Sequence, residues 1–151
     1  MSSFNDGLFL EKIGTRTWRT TRDITNHVGA LTSHWLITVP KEFETDGASV
    51  PRLLWVFFPP FGGNYDQAAV LHDYLYRTQF LCLERVVADA ILLEAMIVLK
   101  TGAFARWAIF IGVRAGGWVT YRKYRRAVAR LANDGIPATH QDIKDESDAG
   151  P

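Results

Sequence analysis

Residues 69–77 read AVLHDYLYR, an apolar run at helical spacing into which a histidine, an aspartate and an arginine are set. Burying an imidazole or a carboxylate without a partner costs on the order of several kcal/mol. Any fold adopted by this chain must therefore bring partners to His72 and Asp73. On a helix His72 and Tyr76 share one face and Asp73 and Arg77 share another, because each pair lies four positions apart. His72 and Asp73 thus diverge by about 100° around the axis. They can divide labour, the imidazole facing a substrate and the carboxylate a cation.

The pattern on both sides of this run sets the fold class. Asn64 or Asp66 can cap a helix that runs to about Thr78. A second helix is expected from Glu84 to Lys100, stopped by Thr101-Gly102, and a third from Ala103 to Asn133 with a bend at Gly116-Gly117. Upstream, LFLEKI (8–13), TWRTTRD (17–23) and HWLITVP (34–40) are short, rich in aromatic and β-branched residues and separated by polar breaks, which predicts strands. VPKEFETDGASVP (39–51) reads as a turn, a short strand and a loop. LLWVFFPPFGG (53–63) is too apolar for a solvated loop, and Pro59-Pro60 bars a helix through it, so it packs over the core or walls a pocket. The expectation is an α+β fold in one domain, residues 1–133. A small N-terminal antiparallel sheet from residues 8 to 45 precedes a three-helix bundle with two antiparallel core helices. Residues 134–151 read as an acidic disordered tail.

Charge is informative in its distribution. The net charge is +1, yet residues 95–133 contain no acid, and Asp134, Asp142, Asp145, Glu146 and Asp148 follow. The single cysteine, Cys82, excludes an intrachain disulfide and fits a reducing compartment. MSSFNDGLFLEK does not read as a signal peptide. FARWAIFIGV is shorter than the roughly 20 apolar residues that a membrane span needs. The basic aromatic helix 104–130 suits the surface of a phospholipid membrane instead, although a core helix with a solvated basic end explains the same residues. Its arginine run is a weak nucleic-acid signal, since such a run on one helix usually marks a solvated face.

The chemistry-bearing residues fall on three segments. If the first two helices are antiparallel, Asp89 faces His72 and can orient its ring, as the third member of a catalytic relay does. Asp46 lies in TDGASVPR, a tight loop in which Gly47 can take positive φ and expose backbone carbonyls. Carboxylates with backbone carbonyls form the ligand set of Ca²⁺, so Asp46, Asp73 and the loop at Gly47 are the candidate metal ligands. A zinc site is disfavoured because one histidine and an isolated cysteine do not make its donor set. A purely structural account also stands, in which Asp73–Arg77 and Arg85–Asp89 are i,i+4 ion pairs and His72 is a satisfied core histidine.

Two resemblances bear on these readings. VPKEFETDGASVPR, GGNYDQAAVLHDYLYR and RVVADAILLEAM resemble a phage and prophage domain family of unknown function, marked by a TDGASVPR loop and an HD-x-LY helix. This resemblance covers residues from about 39 to 118 and implies a tailed-phage setting but no activity. DGASVP, AAVLHDYLYR and the following AD also resemble the small prokaryotic phospholipases A2. That resemblance, over roughly 50 residues, implies His72 as the general base. It implies Asp89 as the residue that orients His72, Tyr76 as a member of the network, and Ca²⁺ held by Asp73, Asp46 and carbonyls of the 46–48 loop. The chain departs from that pattern where its disulfide would stand, at Ala48 and Ala69.

Three functions are in play. The first is a phage-derived, phospholipase A2-like, Ca²⁺-dependent ester hydrolase with a His-Asp site. The second is a non-catalytic phage structural or accessory protein that keeps the fold and meets virion proteins. The third is a hydrolase directed at peptidoglycan. The expected location is the cytoplasm of a bacterial host or the virion.

Overall fold

The computed structural model describes residues 3–4, 7–15, 17–29, 35–45, 63–79, 83–135 and 139–149, and the statements below concern these. Six short strands are followed by four helices: β1 (Ser3–Phe4), β2 (Leu10–Lys12), β3 (Trp18–Thr20), β4 (Ile24–His27), β5 (Leu36–Val39), β6 (Glu44–Thr45), α1 (Asp66–Thr78), α2 (Arg85–Val98), α3 (Ala103–Asn133) and α4 (His140–Asp148). The fold is α+β.

The strands form two three-stranded antiparallel sheets, in the orders β1-β4-β5 and β2-β3-β6, where one small sheet was expected. The first sheet includes β4, whose ITNH sequence carries a single aliphatic residue and gives no strand signal of its own. It is a strand because β1 and β5 pair with it on both sides. Ile24 lies opposite Val39 and Asn26 opposite Ile37, and all four side chains are buried. The sheets are tied together at Thr20. Its hydroxyl donates to the Pro40 carbonyl at 2.8 Å and accepts from the Phe43 amide at 2.9 Å. That corner carries the chain into β6, which pairs with β3 through Trp18 and Thr45.

Helix α1 is the centre of the molecule. It packs against α2, α3, α4 and the strands β5 and β6. Burial on nearly every side explains its composition: Ala68, Ala69, Val70, Leu71 and Leu75 are all buried, and so are His72, Asp73 and Arg77. It stops where Gln79 adopts the left-handed conformation (φ 50°) and donates its side-chain amide to the Tyr76 carbonyl at 2.7 Å. The main core joins Ile24, Ile37, Val39 and Phe43 of the strand region to Leu71 and Leu75 of α1 and Met96 of α2.

Helix α3 continues for 31 residues and holds Gly116-Gly117 within it. The C-terminal segment also differs from expectation. Residues 140–148 form α4 rather than a disordered tail. Thr139 and Asp142 make a reciprocal capping box that fixes the start of the helix. Ile143 then packs into a small second cluster with Tyr124, Ala127 and Leu131. Two of the acids that suggested a solvated tail pair with the basic end of α3, Asp148 with Lys123 at 2.8 Å and Glu146 with Arg130 at 3.2 Å.

Candidate active site

The four residues of the central helix divide between two carboxylates on opposite sides of it. On the side facing α2 and α3, Nε2 of His72 lies 3.0 Å from Oδ1 of Asp89. The Tyr76 hydroxyl donates to the same oxygen at 2.5 Å. His72 and Tyr76 rings sit one helical turn apart with centroids 4.1 Å from each other. The other Asp89 oxygen, Oδ2, accepts from Nη1 of Arg114 at 2.8 Å, with Nη1 of Arg85 at 3.6 Å. Arg85 is itself fixed by donating to the Arg114 carbonyl at 3.1 Å.

Asp89 has no exposed surface, so its ionisation is settled by these donors. Burial by itself would raise its pKa. Hydrogen bonds from His72, Tyr76 and Arg114 together outweigh that effect, and the carboxyl titrates below its ordinary value of 3.8. The phenol of Tyr76 moves the opposite way. Burial, then its bond to the Asp89 carboxylate, pushes its pKa far above 10.0, so it stays a proton donor. Near neutral pH the site therefore holds a buried anion with a histidine on one oxygen and an arginine on the other.

The second carboxylate, Asp73, faces the strands. Its Oδ2 accepts from the Thr45 hydroxyl at 2.8 Å, and its Oδ1 accepts from Nε of Arg77 at 2.8 Å. Arg77 also donates to the Glu44 carbonyl at 3.3 Å. Its guanidinium lies 6.0 Å from the ring centroid of Phe43 and 5.8 Å from that of Tyr124. Glu44 continues the network outward through Lys144 of α4 at 2.6 Å and Arg19 of β3 at 3.2 Å. The bond from Lys144, opposed by partial burial and aided by Arg19, holds the Glu44 carboxyl below its usual value.

The structure thus brings His72, Tyr76 and Asp89 together, and it places Asp73 apart from them with Arg77 and Thr45. Asp46 and Gly47 lie outside the described residues, as do Ala48 and residues 53–62 of the apolar Pro-Pro segment. Among the described residues no group of three or more histidine, cysteine, aspartate and glutamate side chains could hold a metal ion. Sequence reasoning missed Arg114, Thr45 and Gly117. Arg114 had a signal, being a charge set in the apolar stretch AIFIGVRAGG. Gly117 admits the Tyr76 phenol to the site, since a Cβ there would stand 2.9 Å from its oxygen.

Residues 22–113 match the family model described as "Protein of unknown function (DUF1353)". The chain belongs to the DUF1353 family. The match runs from the turn before β4 through the middle of α3. It takes in Thr45, His72, Asp73, Tyr76, Arg77, Arg85 and Asp89 and ends one residue before Arg114. In this DUF1353 protein the basic half of α3 and all of α4 lie beyond the matched region. No curated protein and no solved structure matches the chain.

Proposed function

We propose that this protein is a phage-derived ester hydrolase in which His72 is the general base, Asp89 orients it and Tyr76 fixes the Asp89 carboxylate. The observation that carries the reading is the contact of His72 Nε2 with the buried Asp89 carboxylate. An ionised acceptor at Nε2 favours the tautomer that carries its proton there, which leaves Nδ1 to take a proton from water. As that water attacks an ester carbonyl, the ring becomes cationic, and the fixed anion of Asp89 stabilises it without reorganisation. Arg114 and Arg85 keep Asp89 ionised and immobile, so the proton stays on the imidazole rather than passing to the carboxylate.

Ca²⁺ is the metal that the phospholipase resemblance implies, and it takes six to eight oxygen ligands. Asp73 fits that role poorly in this conformation, because Thr45 and Arg77 take its two oxygens and the guanidinium cancels its charge. A cation held by Asp73, with Asp46 and the Gly47 loop, would have to displace Arg77.

A second reading is favoured by the same saturation. Asp73 and Asp89 tie β6, α1, α2 and α3 together, which is what a non-catalytic phage accessory protein would retain to lock its fold. Hydrolysis of a fluorogenic ester with and without chelator, by the wild type and by His72→Ala, separates the two. Turnover that disappears in His72→Ala supports the hydrolase. Absent turnover in the wild type, or equal turnover in the variant, overturns it in favour of the accessory role.

A further inference from the structure

Helix α3 has two faces, and the fold uses one of them. Ile109, Val113, Tyr121, Ala127 and Leu131 point inward and are buried. A different face carries Phe104, Trp107, Ile111 and Trp118, spaced three, four and seven residues apart and therefore aligned along one side. These are large apolar side chains left in solvent: Phe104 is 79 % exposed and Ile111 61 %. Neighbouring α2 adds Val86 and Ile97, also exposed, to the apolar surface of this helix pair. Apolar exposure on this scale marks a surface that meets something.

The same stripe turns cationic after Trp118. Arg122, Arg125 and Arg126 follow on its line, all exposed, and Arg122 lies over the Trp118 ring at 5.2 Å. The basic residues of this helix are sorted. Lys123 and Arg130, on the side of α4, pair with Asp148 and Glu146. Arg122, Arg125 and Arg126 have no carboxylate partner among the described residues. Beside them a cleft of about 350 Å³ has Trp118, Val119 and Ala127 as its apolar part and Arg122, Lys123, Arg126 and Arg130 as its cations, with Glu146, the partner of Arg130, as its one carboxylate. A cleft that joins an aromatic wall to paired guanidinium groups suits a phosphate carried on an apolar body.

We propose that this face of α3 docks on an anionic phospholipid surface. Phe104, Trp107, Ile111 and Trp118 enter the boundary between headgroups and acyl chains, while Arg122, Arg125 and Arg126 bind the phosphates. From residue 104 to residue 118 the stripe is about 21 Å long, and no helix among the described residues is long and apolar enough to cross a membrane. The helix therefore lies on the surface, with Trp at the boundary and Arg toward the charge, as interfacial helices do. Charge complementarity selects this occupant. A second copy of the chain would bring three further arginines toward these three if parallel, or would set them over its own apolar stripe without a counter-charge if antiparallel, whereas an anionic bilayer offers apolar depth and negative charge together. The proposal goes beyond the chemistry at His72 and stands or falls independently of it.

Co-sedimentation of the full chain with vesicles of phosphatidylglycerol in phosphatidylcholine, and with vesicles of phosphatidylcholine alone, tests it. Binding is expected to the anionic vesicles, with a blue shift of tryptophan emission, and to weaken steeply with salt. Ile111→Asp, Phe104→Ser and the triple variant Arg122→Glu/Arg125→Glu/Arg126→Glu should each lower the affinity about tenfold or more while leaving the thermal melt intact. His72→Ala should bind as the wild type does, so a failed hydrolase assay leaves this result unaffected. The proposal is overturned if anionic vesicles are not bound, if neutral vesicles bind equally, or if Ile111→Asp and Phe104→Ser both keep wild-type affinity. A dimer in sedimentation analysis that Ile111→Asp dissolves would also overturn it, assigning the face to a second copy. So would tighter binding to single-stranded DNA or to an acidic peptide than to the vesicles.

Discussion

The phenol of Tyr76 reaches Asp89 only because residue 117 has no side chain. A Cβ on Gly117 would stand 2.9 Å from the Tyr76 oxygen, closer than carbon and oxygen pack. At neighbouring Gly116 a Cβ would meet nothing within 4 Å. Two adjacent glycines on one helix thus have different reasons to be there, and they should respond differently to alanine. Gly117→Ala should lower stability by about 1–3 kcal/mol, the usual range for overpacking, and should disturb the tyrosine and histidine resonances of the site. Gly116→Ala should raise stability by roughly 0.5–1 kcal/mol, since glycine weakens a helix interior by that amount. Urea unfolding of the two variants checks both signs. Equal effects would mean that the close approach to Tyr76 does not constrain residue 117.

Asp89→Asn keeps the shape of the side chain and removes its charge. Arg114 then loses a buried counterion and faces an amide donor in place of the accepting Oδ2, while the amide oxygen can still accept from His72 and Tyr76. Losing one partner of a buried ion pair costs about 3–5 kcal/mol, and a stability loss near that range is expected in denaturant titration. If the site hydrolyses esters, turnover should fall by about 10²-fold or more, the scale of lost general-base catalysis, with KM little changed. A stability loss with no activity to lose would favour the accessory role.

The pH dependence of stability follows from the direction of the Asp89 shift. A carboxyl that titrates below its ordinary value when folded contributes stability above that value and loses it as the pH falls through the folded value. For Asp89 the ordinary value is 3.8, so its contribution is intact near neutrality and drains away below about pH 5. Glu44, lowered from 4.5 by Lys144, adds in the same direction. Unfolding free energies measured from pH 7 to pH 3 should decline for the wild type and decline less for Asp89→Asn. Parallel profiles would show that Asp89 does not carry the acid sensitivity.

The helical half of the fold was legible because periodicity is a local signal. The expected helix ending at Thr78 and the one beginning near Glu84 agree with α1 and α2 to within two residues. The pairing of His72 and Tyr76 on one face followed from their spacing, and their convergence on Asp89 from how α1 and α2 pack. What could not be read locally came from partners distant in sequence. Strand β4 exists through its two neighbours in the sheet, and Arg114 reaches Asp89 from 25 positions away. That Asp73 is shared between Thr45 and Arg77 was hidden because Thr45 is 28 positions upstream. The C-terminal segment misled through composition, since Glu146 and Asp148 pair with α3 and Asp142 caps α4.

The role of Asp73 can be tested by removing its rival for a cation. Arg77→Leu removes the guanidinium that pairs with this buried carboxylate, and a loss of about 3–5 kcal/mol is expected. Were Ca²⁺ to bind by displacing Arg77, it should raise the melting temperature of Arg77→Leu well above any effect on the wild type, because no guanidinium has to move. Calcium titrations by calorimetry and thermal melting measure this. Indifference of both proteins to millimolar Ca²⁺ would remove the metal from consideration.

Helix α4 should detach without unfolding the rest. Its one buried aliphatic residue, Ile143, packs with Tyr124, Ala127 and Leu131 in a cluster separate from the main core. It also lies against α1 and makes ion pairs with Lys123, Arg130 and Glu44, of which exposed examples contribute about 1 kcal/mol or less each. Ile143→Asp sets a carboxylate into that cluster and should undock the helix. Amide exchange over residues 140–148 should then become fast, while the α1 and α2 amides keep their protection and the main melting transition moves by only a few degrees. Loss of protection in α1 together with α4 would show instead that the two clusters fold as one cooperative unit.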